Sequence, residues 1–272
     1  MKLDELDKLI RDKTKRWEKR VKDRDLFEVV DEVFDNFTVM NIIELHRKGV
    51  LGKINGVVSA GKESKVYLGV DKLGKRLAVK IYLVSSAEFK KSIHKYIAGD
   101  PRFEGLKARD MRSLIVAWAQ KEYRNLIKMC EAGVKVPQPV SCVNNVLVME
   151  FLGEDRHRYP LLVEVFRDLT EEELNEIYRL VVEELEKIVC RAGLVHGDFS
   201  EYNVVVKPGP DIAVIDVSQA VDVGHPNALD FLARDVENIY RFFTKDAKIE
   251  PSTRKEDIIS RLTVCLEKKR GT

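Results

Sequence analysis

One short segment carries most of the information in this chain. It reads Val195-His196-Gly197-Asp198-Phe199-Ser200-Glu201-Tyr202-Asn203, and Ile215-Asp216 follows it after a predicted strand. This spacing suits transfer of a phosphoryl group from a magnesium nucleotide, because that reaction needs a residue that orients the attacking hydroxyl group and oxygen ligands that hold the metal. We predict that Asp198 is the catalytic base and that Asn203 and Asp216 are the metal ligands. The segment therefore predicts an ATP-dependent phosphotransferase.

The composition is typical of a globular protein. Of the 272 residues 44% are hydrophobic, and Lys and Arg exceed Asp and Glu only by 47 to 45, so the overall charge indicates no particular partner. No window approaches the roughly 20 apolar residues of a membrane span, and the first residues lack the apolar region of a signal peptide. We expect a cytoplasmic protein with no membrane partner.

The four cysteines are widely separated. Cys130, Cys142, Cys190 and Cys265 show no paired short spacing. This pattern predicts neither a zinc site nor a disulfide framework, and we expect reduced thiols.

The first 50 residues predict a helical extension. Basic residues crowd between Lys13 and Arg24, but acidic residues interleave with them, which favours a solvated helix face over a surface for RNA or phosphate. A further helix is predicted to begin with Thr38 as its N-cap and to end at Gly49.

The following segment predicts an antiparallel meander. Residues 53–58, 65–70 and 75–82 are rich in β-branched side chains and alternate in polarity. The turn between the first two strands reads Ser59-Ala60-Gly61-Lys62-Glu63-Ser64, and its backbone N–H groups are suited to bind phosphate. Of the three glycine positions of a kinase loop, which fall on residues 59, 61 and 64, only the central one holds glycine.

Two charged residues occupy positions that the pattern marks as apolar. Lys80 shares a strand face with Ala78, and a buried ammonium group is costly unless it meets an anion. Glu122 lies on the apolar stripe of a helix predicted over residues 109–132, one turn after Trp118. We predict that Lys80 binds the α and β phosphates of ATP and that Glu122 pairs with Lys80.

The second half of the chain predicts mainly helices. A strand over residues 146–151 comes first, and at its end the backbone groups of Glu150 and Leu152 are predicted to face the adenine edge. Thr170 and Glu173 then form a capping box that starts a long amphipathic helix before Gly193. Further helices are predicted over residues 227–243 and 254–268.

Three motifs together resemble the RIO family of atypical protein kinases. They are the loop at residues 59–64, the catalytic segment at residues 194–203, and Ile215-Asp216-Val217-Ser218-Gln219 in place of Asp-Phe-Gly. Ser200-Glu201-Tyr202-Asn203 and His225-Pro226 are similar to the Rio1 subfamily rather than to Rio2. The resemblance covers roughly residues 50 to 245.

The resemblance implies an α+β fold that is two-lobed and related to a trimmed protein kinase. A helical extension at residues 1–50 precedes an antiparallel-sheet N-lobe at residues 51–151 and a mainly helical C-lobe at residues 152–272. The implied catalytic residues are Asp198, Asp216 and Lys80. The implied nucleotide-binding residues are Ser59, Gly61, Lys62, Glu63, Ser64, Lys80, Glu122, Glu150, Leu152 and Asn203.

The resemblance also implies an activity and a partner. It implies a non-specific serine/threonine protein kinase with ATPase activity that uses ATP with Mg²⁺, or Mn²⁺ in its place, and that autophosphorylates. An aspartyl-phosphate would form on Asp216. The implied role is maturation of the small ribosomal subunit, with its precursor rRNA and ribosomal proteins as partners. The absence of a long charged C-terminal extension makes the chain resemble the archaeal proteins.

A second interpretation is a small-molecule kinase of the aminoglycoside or choline phosphotransferase type. His-Gly-Asp with a downstream Asn and Ile-Asp also occurs in those enzymes. The loop at residues 59–64 and the small C-terminal part favour the RIO type. A catalytically silent module that binds ATP as a structural ligand is a third interpretation.

Two departures from ordinary kinases bear on the mechanism. Ser200 stands where most serine/threonine kinases carry a lysine that helps to neutralise the γ-phosphate, so part of that charge stabilisation must come from elsewhere or be missing. No Ala-Pro-Glu motif and no room for a peptide-docking segment exist between Asp216 and His225, which favours an ATPase switch. Nearby, we predict that His196 orients the catalytic loop through its backbone and that Asp235 caps N–H groups of that loop.

The segment at residues 85–110 is rich in basic side chains. It contains Lys90, Lys91, Lys95, Arg102, Lys107 and Arg109, with serines Ser85, Ser86 and Ser92. Two interpretations remain, a loop that contacts rRNA and is autophosphorylated, and a solvated loop without a partner.

Overall fold

The computed structural model describes residues 34–83, 93, 95–97, 99–103, 110–209 and 211–270. The chain divides into two units. One contains Met1–Ser85, Ile115–Gln120 and Pro139–Phe151, and the other contains Ser86–Leu114, Lys121–Gln138 and Leu152–Thr272. The basic stretch between Lys13 and Arg24 lies outside the described residues, and the three-part division at residues 50 and 151 stays a prediction.

The first unit is built on a five-stranded antiparallel sheet in the order β1-β2-β3-β5-β4. Its strands are β1 (Lys53–Ala60), β2 (Ser64–Val70), β3 (Arg76–Tyr82), β4 (Pro139–Val143) and β5 (Val146–Glu150). The predicted meander is confirmed. Strand β4 was not predicted, and it is an edge strand, where the missing N–H of Pro139 costs least.

The two faces of this sheet carry different clusters. On one face Leu77 and Val79 of β3 pack with Ile42 from the N-terminal helix. On the other face Ala78 packs with Phe151 in a much smaller cluster. Because side chains alternate along a strand, Lys80 shares the smaller cluster's face with Ala78, as predicted.

The N-terminal helix α1 (Asn36–Arg47) starts two residues before the predicted N-cap. The prediction of Thr38 as N-cap is wrong, because the Asp35 carboxylate accepts the Thr38 N–H at 2.8 Å. The Thr38 hydroxyl group instead accepts a hydrogen bond from Asn145 Nδ2 at 2.8 Å. Gly49, with φ 74°, follows the end of the helix as predicted.

The second unit is mainly helical. The helices after β3 are α2 (Met111–Glu131), which runs through both units, and α3 (Leu162–Val165), α4 (Glu171–Glu186), α5 (Ala228–Arg241) and α6 (Lys255–Arg270). The predicted capping box is confirmed, since the Thr170 hydroxyl group accepts the Glu173 N–H at 3.2 Å and the Glu173 carboxylate accepts the Thr170 N–H at 2.8 Å. Among the described residues, none of the helices has the length and apolar character needed to cross a membrane.

Short antiparallel ladders hold the loops of the second unit. Strand β8 (Leu194–Val195) pairs with β11 (Val221–Asp222), and β9 (Val204–Lys207) pairs with β10 (Asp211–Val214). A third pair, β6 (Gly153–Glu154) and β7 (His157–Arg158), follows β5. The first two ladders flank the predicted catalytic and metal-binding segments.

Cys190 and Cys265 form a disulfide, which corrects the expectation of reduced thiols throughout. The two residues are 75 positions apart in sequence, with their Cα atoms 5.0 Å apart. A π-helical turn at Lys187–Arg191 extends α4 and packs against α6, which brings them together. Short spacing is no guide to a pair that is formed by helix packing. Cys130 and Cys142 are not in a disulfide, as predicted.

A substitution of Gly69 tests how tightly the first unit is packed around strand β2. A Cβ atom at this position would lie 2.7 Å from Val79 Cγ2 and 2.8 Å from Leu51 Cδ1, whereas a Cβ atom at Gly56 meets no atom within 4 Å. We expect Gly69→Ala to lower the free energy of unfolding by about 1 to 3 kcal/mol through overpacking. Urea denaturation measures this. Gly56→Ala is the matched control, and an equal loss in both variants would contradict the prediction.

Candidate functional site

The β9–β10 hairpin brings the two predicted metal ligands together. Val204 pairs with Val214 at the end of the ladder, and the Ile215 N–H donates to the Asn203 carbonyl at 2.9 Å. Asn203 is buried, and Asp216 has a left-handed backbone with φ 56° and ψ 61°. Such a conformation is uncommon for a residue other than glycine and is found at functional sites.

Each predicted ligand accepts a hydrogen bond from a serine. Ser200 Oγ donates to Asn203 Oδ1 at 3.0 Å, and Ser218 Oγ donates to Asp216 Oδ1 at 3.0 Å. Within the described part of the chain, no group of three or more His, Cys, Asp or Glu side chains is arranged to hold a metal. One carboxylate and one carboxamide fit Mg²⁺, which prefers oxygen ligands and shares its coordination with water and substrate phosphates.

Asp198 is tied to the segment that follows Asp216. Gln219 Nε2 donates to Asp198 Oδ2 at 3.1 Å. Partial desolvation and the negative charge of Asp216 raise the pKa of Asp198, against the opposing effect of Arg234 and Lys95. Sequence reasoning did not single out Gln219, because only the fold turns its side chain towards a residue 21 positions earlier.

Asp235 binds backbone N–H groups of the catalytic segment at residues 194–203, so the predicted cap is confirmed. Its carboxylate accepts the Gly197 N–H at 2.7 Å and the Phe199 N–H at 2.9 Å, and the residue is fully buried. Burial raises the pKa of Asp235 to about 7. The Gly197 carbonyl accepts a hydrogen bond from Arg234 on the same helix.

His196 is buried, as predicted, but its side chain does not bind the backbone of the catalytic segment at residues 194–203. Its Nε2 lies 3.3 Å from the carbonyl oxygen of Ile215, which precedes Asp216, so His196 binds the metal-ligand segment rather than the catalytic loop's own backbone. Burial lowers the pKa of His196 to about 4. A neutral imidazole that donates from Nε2 fits an orienting role better than a proton carrier.

In the first unit the predicted phosphate loop is shorter than expected. Ser59 belongs to β1 and Ser64 to β2, since the ladder continues to the pair of Ala60 with Lys65. The turn itself contains only residues 61–63, and the Gly61 N–H donates to the Ser64 carbonyl at 2.9 Å. Lys62 and Glu63 are the residues at its tip.

The remaining predicted nucleotide contacts lie in or beside β3 and β5. Lys80 is buried in β3, with Nζ 5.2 Å from the centroid of the Tyr82 ring. Glu150 ends β5, and the carbonyl of Leu152 accepts the Tyr159 N–H at 3.0 Å. Glu122 is buried in α2 and belongs to the second unit. The pairing of Lys80 with Glu122 and the adenine contacts stay predictions.

Among the described residues, two cations act on Asp198, the predicted catalytic base. The Ser200 hydroxyl group is used by Asn203, and the positive charges that lower the pKa of Asp198 are those of Arg234 and Lys95. Lys95 Nζ lies 5.3 Å from the centroid of the Phe231 ring, on the helix that carries Arg234. These cations are candidates for the charge that a lysine supplies in most kinases.

Arg102 does not fit a solvated basic loop, which was one of the two interpretations of residues 85–110. It lies in a short 3₁₀ helix, Pro101–Phe103, and forms a two-pronged ion pair with Asp100, whose carboxylate is buried. Most other members of the proposed loop lie outside the described residues. They are Lys90, Lys91, Lys107, Arg109, Ser85, Ser86 and Ser92.

A substitution of Asp235 tests how much its two hydrogen bonds to the catalytic segment stabilise the protein. We expect Asp235→Asn to lower the free energy of unfolding by about 1 to 3 kcal/mol at pH 5, because one backbone N–H then faces an NH₂ group. Glu237→Gln, on the exposed side of the same helix, is the control.

The contribution of Asp235 to the free energy of unfolding should fall as the pH rises. A pKa of about 7 in the folded state, above the ordinary value, means that the stabilisation by Asp235 is complete below about pH 4 and is lost as the pH rises towards 7. The stability gap between wild type and Asp235→Asn should therefore narrow over that interval in chemical denaturation. A constant or widening gap would contradict this assignment.

The chain resembles known proteins in sequence. The family described as the RIO domain matches residues 65–256. The RIO-type serine/threonine-protein kinase Rio1 of Haloferax volcanii is 40% identical over 247 residues, which are 89% of this chain and 82% of that protein. The serine/threonine-protein kinase RIO1 of Homo sapiens is 37% identical over 227 residues, which are 83% of this chain but only 39% of that protein.

The fold resembles a solved structure. A crystal structure of the Rio2 kinase from Chaetomium thermophilum, in complex with ADP and Mg²⁺ and containing a phosphoaspartate, superposes with a TM-score of 0.64. The match covers 86% of this chain and 71% of that one, at 22% sequence identity. The predicted α+β kinase-like fold is confirmed, with an antiparallel sheet in one part and mainly helices in the other. By family match and sequence relatives, the chain belongs to the RIO kinase family and, within it, to the Rio1 type.

Proposed function

We propose that this RIO kinase is a serine/threonine protein kinase with ATPase activity that uses ATP and Mg²⁺. One observation carries the proposal. The β9–β10 hairpin sets Asn203 beside the segment of Asp216, and Gln219 of that segment donates to Asp198. These contacts support a role for Asp198 as the base and for Asn203 and Asp216 as the oxygen ligands of the metal.

Each residue has a distinct role in this proposal. Asp198 accepts a hydrogen bond from the attacking hydroxyl group and receives its proton, and its raised pKa improves it as a base. Asn203 and Asp216 hold the metal, and the hydroxyl groups of Ser200 and Ser218 fix their orientation. Magnesium, when bound, would offset the negative charge of the phosphates.

The first unit supplies the contacts to the nucleotide in this proposal. Lys80 is a buried ammonium on a small apolar face, which supports a role in binding phosphate. The tight turn at residues 61–63 directs backbone N–H groups to the phosphates, and Glu150 and Leu152 would contact the adenine edge. Glu122 would hold Lys80 in place.

We further propose that Asp216 accepts a phosphoryl group. A carboxylate oxygen of Asp216 would attack the γ-phosphorus, forming an O–P bond while the bond to the ADP oxygen breaks. Water, with Asp198 accepting its proton, would then attack the phosphorus of the aspartyl-phosphate and release inorganic phosphate and the Asp216 carboxylate. The exposed side chain of Asp216 and the phosphoaspartate in the Rio2 crystal structure support this step.

The physiological partner in this proposal is a precursor of the small ribosomal subunit in the cytoplasm. The Rio1 resemblance supports it. The residues after Asp216 support an ATPase switch, because they form a 3₁₀ turn and β11 and then reach the buried His225 without a segment that could dock a peptide. The family match favours this function over an aminoglycoside or choline kinase.

The chemistry is tested by phosphate release. We expect Asp198→Asn to lower ATP turnover by about 10²- to 10⁴-fold, because a general base contributes that much. Asp216→Asn should abolish the hydroxylamine-sensitive phosphate on the protein. Glu237→Gln should leave both unchanged. Full turnover in Asp198→Asn, or turnover that requires choline or an aminoglycoside, would defeat the proposal.

The partner is tested separately. We expect the tagged chain to co-sediment with small-subunit precursors and its ATP turnover to rise when they are added. Mature subunits are the matched control. An equal response to both particles, or none to either, would reject this partner while leaving the chemistry intact.

A further inference from the structure

The turn that follows Asp216 is held by side chains of helix α2. Lys121 Nζ donates to the carbonyls of Ser218 at 2.8 Å and Ala220 at 2.5 Å. Asn125 Nδ2 donates to the carbonyls of Val217 at 2.7 Å and Ala220 at 3.0 Å. Lys121 and Asn125 are four residues apart, on one face of the helix, and both are fully buried. Three of the four carbonyls at positions 217–220 are thus bound by α2.

A second layer of side chains fixes the first. Arg102 Nη1 donates to Asn125 Oδ1 at 2.6 Å, which turns the Asn125 NH₂ group towards the carbonyls. Arg102 Nη2 also reaches the Ala220 carbonyl at 3.2 Å, and Asp100 holds the guanidinium group through both of its oxygens. Three donors therefore converge on the carbonyl of Ala220, a group with two lone pairs.

Burial of the charged groups of Asp100, Arg102 and Lys121 has a desolvation cost. Lys121 and Arg102 place two cations beside Asp100, and burial lowers the pKa of Lys121 well below its ordinary value. An apolar side chain of similar volume would fill the position of Lys121 without this desolvation cost. Packing alone does not account for a lysine here, whereas the need to hold carbonyls in a loop without ladder partners does.

Both predicted catalytic carboxylates depend on this turn. Ser218, whose carbonyl is held by Lys121, donates its hydroxyl group to Asp216. Gln219, which lies between the held carbonyls, donates to Asp198. A Cβ atom on Gly197 would lie 3.1 Å from the Gln219 carbonyl, so the turn also packs against the catalytic loop.

We propose that Lys121 and Asn125 are positioning residues for phosphoryl transfer. By binding the carbonyls of the 217–220 turn, they set Asp216 for the metal and, through Gln219, Asp198 for the attacking group. Neither residue touches the reacting atoms. The inference rests on the proposed roles of Asp198 and Asp216.

The test separates positioning from simple stabilisation. Lys121→Met and Asn125→Ala are compared with Asn41→Ala, which also removes a buried side chain bonded to two asparagines but lies in α1 of the first unit. The measurements are the Mg²⁺ concentration that gives half-maximal ATP turnover, the affinity for fluorescent ADP without metal, and the urea midpoint.

We expect both α2 variants to raise the half-saturating Mg²⁺ concentration by about 10- to 100-fold, as is usual when residues that support a metal ligand are removed. Metal-free ADP affinity should stay unchanged. Asn41→Ala should lower the urea midpoint without changing the Mg²⁺ requirement. A lower midpoint with an unchanged Mg²⁺ requirement in the α2 variants would overturn the inference.

A milder variant covers the case in which the buried substitutions prevent folding. Arg102 is only partly buried, and Arg102→Ala removes the donor that orients Asn125. Arg102→Ala should also raise the half-saturating Mg²⁺ concentration, and no rise would overturn the inference.

Failure of the proposed function would give a different result. Wild type would then turn over ATP without Mg²⁺, or Asp216→Asn would retain the wild-type Mg²⁺ requirement.

Discussion

The antiparallel pairing of Val204 with Val214 is the constraint on which the site depends. It places Asn203 and Ile215 side by side, and Asp216 is the next residue. A shift of one residue in this register would turn the side chains to opposite faces and separate the two proposed oxygen ligands. Every later feature of the site, from the left-handed backbone of Asp216 to the turn that follows it, is built on this ladder.

The loops around this hairpin are held by buried polar side chains from helices. Asp235 on α5 binds N–H groups of the catalytic loop, and Lys121 and Asn125 on α2 bind carbonyls of the 217–220 turn. Loops lack the ladder partners that strands provide, so their buried backbone groups need other ones. Helices are rigid supports for such partners, and they keep the irregular loops of the second unit in place.

The RIO family pattern is easier to understand with these contacts in view. Ser200 replaces a lysine of ordinary kinases, and its hydroxyl group serves Asn203. The positive charge near Asp198 comes instead from Arg234 and Lys95, which are distant in sequence. The segment between Asp216 and His225 is short, and α2 binds the carbonyls of Val217, Ser218 and Ala220 at its start. A segment that is short and held in this way supports the proposed ATPase switch more than an enzyme that docks peptides.

The sequence alone determined the residues whose signals are local. The alternation of β3 indicated that Lys80 lies on an apolar face, and the Thr170 capping box indicated the start of α4. The spacing of Asp198, Asn203 and Asp216 predicted the phosphoryl-transfer chemistry. Tertiary structure decided the contacts between distant residues. The Cys190–Cys265 disulfide and the hold of Lys121 on the 217–220 turn leave no trace in any short window. Even the cap of α1 was settled this way, because Asp35 and Thr38 both suit the position and only the distant Asn145 occupies the Thr38 hydroxyl group. Local sequence patterns indicate the secondary structure that a residue favours, whereas tertiary packing decides which distant residue it contacts.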